Sequence, residues 1–454
     1  MSRLTNLRTI ALLGLWALVP AGCFNPDNPA SGDLTDASST GAVGDDSTGG
    51  ADPDATGDPA TTIDAASTGG SGSDTAMDST TGSSGGSESG ESGSEPVIEC
   101  DDGIVVAGEV CYEVLHELTG NNYAFGFLED IDGDDDDDLV YSANNGEVVV
   151  QFNGNGQFGL ETTSNFAGVT SLDTMGFLDF DHDGVRDGVL LSQAGGRFYT
   201  AVGNTSGDYA VTDSQFIEAY DVAMGDMDGD GDDEAVVLVL AGLQVWSIAD
   251  DGAMTQLDAT AIGDFGAPRA VTLADLNSDD QLDVVYLGPF GGDGEDSQVR
   301  VQLGNGDGTL GGIELYPVIG TTDARDLALG DFDGDGEVDV AVADGPTVGV
   351  VFGNGALAFS EADDLAVASG NAAQVVAADV DLDGVDDLVV GYEDREALTV
   401  YRGGGDRVFA EGQDVALPHV TETLSTGDVN DDGVLDLVVT SDGADALTVV
   451  HSTP

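Results

Sequence analysis

The stretch DFDGDGEVD, Asp331 to Asp339, carries aspartate at its first, third, fifth and ninth positions. Carboxylates this close repel one another unless a positive charge sits among them. One such block decides little, because Asp/Gly turns are common on surfaces. The block recurs as DIDGDDDDD from Asp130, DFDHDGVRD from Asp179, DMDGDGDDE from Asp226, DLNSDDQLD from Asp275, DVDLDGVDD from Asp379 and DVNDDGVLD from Asp428. Successive copies start 49, 47, 49, 56, 48 and 49 residues apart. Periods near fifty with turn signals mark an array of small β units.

Each unit follows one plan. A short apolar strand such as RDLALGD leads into the acidic block, often with Gly directly before the first Asp, as at Gly225, Gly330 and Gly427. A β-branched strand such as DVAVA follows, then a third strand ending in a Gly-rich hairpin such as VGVVFGNGALAF. A weaker fourth strand closes the unit. Four antiparallel strands in roughly fifty residues make a propeller blade, so the expected fold is all-β, a seven-bladed propeller over residues 99–454. After the seventh block only two strands remain, DLVVTS and ALTVVHS. Residues 104–118, IVVAGEVCYEVLHEL, alternate suitably to supply the missing outer strand and close the ring.

The block also reads as a cation cage. Alternate acids in a tight turn gather hard oxygens around one centre, and Gly at the sixth position allows the positive φ the turn needs. Hard oxygens without Cys or His favour calcium over magnesium, which prefers more water and a tighter octahedron. The competing reading is acidic surface turns alone. The repeats resemble the FG-GAP/VCBS family, the calcium-binding blades of integrin α-subunit propellers and many bacterial surface proteins. That resemblance implies up to seven Ca²⁺ ions, with ligands at positions one, three, five and nine of each block. In blades one to three these are Asp130, Asp132, Asp134 and Asp138; Asp179, Asp181, Asp183 and Asp187; and Asp226, Asp228, Asp230 and Glu234. Blades four and five give Asp275, Asn277, Asp279 and Asp283, then Asp331, Asp333, Asp335 and Asp339. Blades six and seven give Asp379, Asp381, Asp383 and Asp387, then Asp428, Asn430, Asp432 and Asp436. Asp135 and Asp280 replace the turn Gly, Asn277 and Asn430 each remove a charge, and Glu234 reaches further.

Composition narrows the function classes. Asp and Glu number 87 against 10 basic residues, all arginine, for a formal charge of −77. Nucleic-acid binding needs a basic patch to displace counterions, and anionic lipid surfaces need the same, so neither is expected. At the N-terminus, Arg3 and Arg8 precede the apolar run TIALLGLWALV and then PAGC. The run is too short for a spanning helix and reads as an export signal, residues 1–22. Cys23 resembles the lipid-accepting cysteine of bacterial lipoproteins, with Pro20 in place of the usual Leu; plain secretion is the alternative. Cleavage before Cys23 removes two arginines and no acid, taking the formal charge from −77 to −79. Residues 23–98, rich in Ser, Thr, Gly, Ala and Asp, cannot bury enough apolar surface to offset ordering entropy and are expected to form a disordered tether. Cys100 and Cys111 make a natural disulfide pair in an exported chain, with a metal site as the competing idea.

No reactive constellation emerges. His116, His182, His419 and His451 are scattered, and the chain lacks the lysine a Ser/Lys pair would need. The expected function is therefore a non-catalytic, calcium-binding module at the outer membrane or cell surface, for adhesion or protein docking. Its partner would be a surface protein or glycan, and it would touch the membrane through its lipid alone, as a monomer. A carbohydrate-active propeller, lectin-like binder or polysaccharide lyase, is the alternative, and a purely structural surface component a third. The acidic loops and the third-to-fourth hairpins should share one face, leaving the other for a partner. The longest interval owes its extra length to GPFGGDGEDSQ, Gly288–Gln298, a candidate contact loop on that other face.

Overall fold

The computed structural model describes residues 111–452, apart from 135, 144–145, 155, 170, 263–267, 290–296, 316–323, 356–358, 361–362, 368 and 406. The export segment 1–22, the tether 23–98, Cys23 and Cys100 lie outside the described residues, as do residues 104–110 of the expected closing segment. Seven four-stranded antiparallel sheets make up the fold, a seven-bladed β-propeller. Blade five is typical: Asp326–Gly330, Asp339–Asp344, Thr347–Val351 and Asp363–Ala366, paired in that order. Its acidic block joins the first strand to the second. The extended loop of blade four joins the second strand, Asp283–Pro289, to the third, Ser297–Gly304. Its residues 290–296 fall outside the described set.

Burial follows from a sheet covered on both sides by neighbouring blades. The second strands Asp138–Ala143, Asp187–Ser192, Glu234–Val239, Asp339–Asp344, Asp387–Tyr392 and Asp436–Ser441 are buried along their whole length. They therefore read as continuous apolar runs rather than as alternating ones. Outer strands such as Ala210–Phe216 are mostly exposed. The period of two sorts residues between seams. Val140 joins Phe177 and Met175 of blade two, while Leu139 and Tyr141 join Val438 and Leu447 of blade seven. Each apolar cluster thus lies between two blades, and the core is distributed over the seams.

Inner strands pack side by side around the ring, blade seven against blade one. Buried polar side chains bridge them. Asp221 Oδ2 accepts from Val271 N at 3.0 Å, Asp326 Oδ2 accepts from Val375 N at 3.1 Å, and Ser425 Oγ donates to Gly126 O at 2.7 Å. Small residues sit where the next blade comes closest. A Cβ on Gly427 would lie 2.2 Å from Leu128 Cβ and 2.7 Å from Asp137 Oδ2, which accounts for glycine before the first aspartate there.

The ring closes as the alternation suggested. Tyr112–Thr119 pairs antiparallel with the last strand, Ala446–Ser452, and completes the sheet of blade seven. Gly120 N extends the pairing to Asp445 O at 2.9 Å, and the Tyr112 hydroxyl donates to Leu435 O at 2.7 Å. Cys111, immediately before this strand, is disulfide-bonded, and its partner lies outside the described residues. Removing Tyr112–Thr119 would leave the whole of Ala446–Ser452 as an open edge. The deleted chain is expected to lose monodispersity on size exclusion and to melt at lower temperature than the parent; an unchanged profile in both would refute the closure.

Candidate metal centre

The nine-residue block folds around its own carboxylates. In blade five, Asp331 Oδ1 accepts from Asp335 N at 3.0 Å and Asp331 Oδ2 from Gly336 N at 2.8 Å. Asp333 Oδ1 accepts from the same Asp335 N at 3.2 Å, and Asp335 Oδ1 from Glu337 N at 3.0 Å. These bonds curl the chain and leave further oxygen lone pairs for a cation. The turn needs left-handed backbone at two positions. The sixth position is left-handed in every block where it is described, as at Gly336, φ 85°, and at non-glycine Asp280, φ 63°. The fourth is left-handed in all seven, at Gly133, Gly229 and Gly334 but also at His182, Ser278, Leu382 and Asp431. The requirement at the fourth position was not drawn from the sequence, because four of the seven copies carry a side chain there.

The ninth position does more than offer a ligand. Asp339 is fully buried, and its Oδ2 accepts from Phe332 N at 2.9 Å while Oδ1 accepts from Gly353 N at 2.7 Å. The bond from the second position recurs in all seven blades, to Asp138, Asp187, Glu234, Asp283, Asp339, Asp387 and Asp436. The bond from the end of the third strand or just beyond it recurs from Asn153, Gly203, Gly304, Gly403 and Ser452. Four of the six are glycine, and a Cβ at Gly353 would sit 2.1 Å from Val338 O. Burial pushes the ninth-position carboxyls up, against the pull of these N–H donors, to about 7 at Asp138, Glu234, Asp339, Asp387 and Asp436 and about 6 at Asp187 and Asp283. A bound cation would favour the charged form.

Exposure is graded within each block. The ninth position is buried, the first and third are buried or half-buried, and the fifth is exposed in every blade except the seventh. Three carboxylates come within 4.8 Å in five blades: Asp130, Asp132 and Asp138; Asp179, Asp181 and Asp187; Asp226, Asp228 and Asp230; Asp331, Asp333 and Asp339; Asp379, Asp381 and Asp387. These groups could hold metal ions. Asp134, Asp183, Asp335 and Asp383 stand outside them, and in blade three the fifth-position Asp230 takes the place of Glu234. Asp275, Asp279 and Asp283 of blade four and Asp428, Asp432 and Asp436 of blade seven form no such group among the described residues; both blocks carry Asn at the third position. In blade seven Asn430 Nδ2 donates to Asp432 Oδ2 at 2.9 Å, engaging one expected ligand with another. Donor chemistry fits a hard cation. Asp132 Oδ1 and Asp381 Oδ1, in two of the three-carboxylate groups, are buried with no hydrogen-bond partner, an arrangement that costs free energy unless a positive charge satisfies it.

The blocks also touch across the seams. Asp137 Oδ2 accepts from Asp428 N at 2.7 Å, and Asp386 Oδ2 accepts from Asp331 N at 2.8 Å. Hairpins of one blade reach the block of the preceding one: Asn153 Nδ2 donates to Val429 O at 2.7 Å, and Gly308 N to Met227 O at 3.1 Å. Arg186 pairs with Glu129 at 2.6 Å across blades one and two. One face of the ring is therefore a belt of linked acidic loops. The histidines are placed separately: His116 against Gln151, His182 against Asp232, His419 between Val420 O and Thr448, and His451 on the last strand.

Residues 226–286, 290–342, 331–390 and 379–439 match the family model described as FG-GAP-like repeat. No curated protein sequence matches the chain. Among solved structures, BBS1N in complex with ARL6DN is similar in two forms. The mercury-soaked one is 14% identical, covering 76% of this chain and 97% of that one with a TM-score of 0.50. The lead-soaked one is 12% identical, covering 76% and 98% with a TM-score of 0.51. A lectin of Agrocybe aegerita, 16% identical, covers 71% and 86% with a TM-score of 0.49. At these identities the likeness concerns the fold.

Two substitutions separate the roles within a block. Asp339→Ala strands two buried N–H groups and is expected to cost roughly 2–5 kcal/mol even in chelator, whereas exposed Asp335→Ala costs under about 1 kcal/mol there. Urea unfolding in EDTA checks this, and equal losses would contradict the assignment. At the fourth position, Leu382 is exposed with φ 53°, so Leu382→Gly is expected to raise stability by up to about 1 kcal/mol.

Proposed function

We propose that this chain, a seven-bladed propeller carrying FG-GAP-like repeats, is a calcium-stiffened, non-catalytic docking module. A propeller with such repeats fits a protein-binding role, and calcium would be the element that sets its rigidity. The observation that carries the reading is the belt of acidic loops: the blocks that gather the cage carboxylates also bond across the seams, through the eighth-position carboxylates Asp137 and Asp386 and the N–H groups of Asp428 and Asp331. The donor set is oxygen alone, which suits calcium, whose coordination tolerates irregular geometry, better than magnesium. When bound, each ion would neutralise carboxylates that otherwise repel.

The non-catalytic part rests on how the titratable groups are employed. The repeated carboxylates are engaged by backbone N–H groups or gathered into the cages, and both His419 nitrogens have partners. Fold alone does not decide activity, so the reading stands on these roles. Display at the outer membrane or cell surface, through a lipid on Cys23 and the tether 23–98, belongs to the same proposal. A partner would then meet the face opposite the acidic belt, for adhesion or protein docking.

One observation favours a sugar-binding role as the second reading. Phe216 is 79% exposed at the end of a fourth strand, with the Arg197 guanidinium carbon 3.6 Å from its ring centroid. An exposed, held aromatic ring is a surface on which a sugar can stack. Binding on a glycan array that is abolished by Phe216→Ala would favour this reading over protein docking.

Calcium removal is the main test. At tenfold saturation each filled site adds about 1.4 kcal/mol by mass action, so several sites together rival the stability of an ordinary domain. EDTA is expected to lower the melting temperature by roughly 10 °C, reversibly, with calcium restoring it better than magnesium. An unchanged melting curve, with no calcium found by elemental analysis of the purified protein, would end the calcium reading.

A further inference from the structure

Two of the cages already hold a positive charge belonging to the protein. We infer that Arg407 and Arg402 are built-in counter-cations that keep the cages of blades five and six shaped without calcium and make them weaker calcium sites than those of blades one to three. The inference about calcium affinity rests on the calcium reading above; the counter-cation role itself does not.

Arg407 lies in the third-to-fourth hairpin of blade six, yet its charge is delivered to blade five. Its Nε donates to Asp333 Oδ2 at 2.9 Å, and the Asp333 side chain is only 6% exposed. The guanidinium carbon stands 5.0 Å from the ring centroid of Phe352, also of blade five and buried. Phe409, two residues on, packs its ring 5.9 Å from that of Phe332, which fixes the approach of the hairpin. Arg407 itself has φ 64°, a conformation costly for any residue with a Cβ. Arg402, at the foot of the same hairpin, places Nη1 3.6 Å from Asp381 Oδ2 in the cage of its own blade, where Asp381 is buried.

Both arginines address the third position of a block. That position carries an unpartnered buried oxygen in blade one, Asp132 Oδ1, so a positive charge is called for at this point of the cage. A guanidinium stays charged at any working pH and can meet the need permanently. It also repels an arriving divalent cation. Asp381 Oδ1 remains without a hydrogen-bond partner, so the arginine leaves an oxygen for a cation. Weakening rather than exclusion follows. Because Arg407 is 44% exposed, solvent screens much of its effect.

The test uses the full chain with Arg407→Gln and Arg407→Lys, calcium alone as titrant in calorimetry, elemental analysis, and thermal unfolding in EDTA and in saturating calcium. Arg407→Gln is expected to tighten one calcium site by about tenfold, the scale for removing a unit charge beside a divalent ion in a water-screened setting. It should also melt lower than the parent in EDTA while matching it in saturating calcium, and Arg407→Lys should stay near the parent in both. Weaker or unchanged calcium binding in Arg407→Gln, or parental melting in EDTA, overturns the inference. A parent chain that binds no calcium would instead sink the calcium reading, and the EDTA comparison would still decide whether Arg407 props the cage.

Discussion

In six of the seven blades a carboxylate buried at the ninth position of the acidic block holds together two separate stretches of backbone. Asp339 takes an N–H from the start of its own acidic block and another from beyond the third strand, so one side chain fastens the loop to the hairpin. Burying a carboxylate is costly unless it is hydrogen-bonded, and these bonds are charge-assisted and correspondingly strong. The rest of the block is arranged on this joint. The first and third carboxylates accept the N–H groups of the fifth and sixth residues, which curls the loop beside it.

The joint lies at the edge of the apolar seams, and the two support each other. Every seam is a sandwich of two sheets whose facing residues come from alternate positions of the second strands, so no blade owns a core. A single blade would expose both faces and could not persist alone, as in other repeat folds. Polar links at both ends complete the seam between blades five and six, from Asp326 at one end to Asp386 and Arg407 on the acidic face. In a chain of charge −77, the few arginines placed on that face carry disproportionate weight.

The ring and its closure were legible in the sequence because each depends on a local period. The spacing of the blocks counts the blades, and the alternation in YEVLHEL is that of an outer strand lacking its partner. Cage positions were legible in kind, since acids at alternate positions must share a centre. What was hidden depends on contacts between blades. Nothing in GGGDRVF says that Arg407 will reach Asp333, 74 residues earlier, or that Gly427 faces Leu128. The backbone duty of the ninth position was hidden differently, because an acid that binds metal and an acid that binds two N–H groups look alike in a string of letters. The recurrence of Gly203, Gly304, Gly353 and Gly403 at the end of the third strand was the available clue to it.

The strand that completes blade seven also sets the order of events in folding. Tyr112–Thr119 is the first described strand of the propeller, and its partner Ala446–Ser452 is the last. Six blades consist of strands consecutive along the chain and can pair through local contacts alone. The seventh waits for a contact spanning nearly the entire propeller, the kind whose loop-closure entropy slows folding most. Until Ala446–Ser452 pairs with Tyr112–Thr119, blade one has no finished neighbour on one side. Assembly is thus a race between a late zipper and association with other open chains, and the outcome is decided at the last strand.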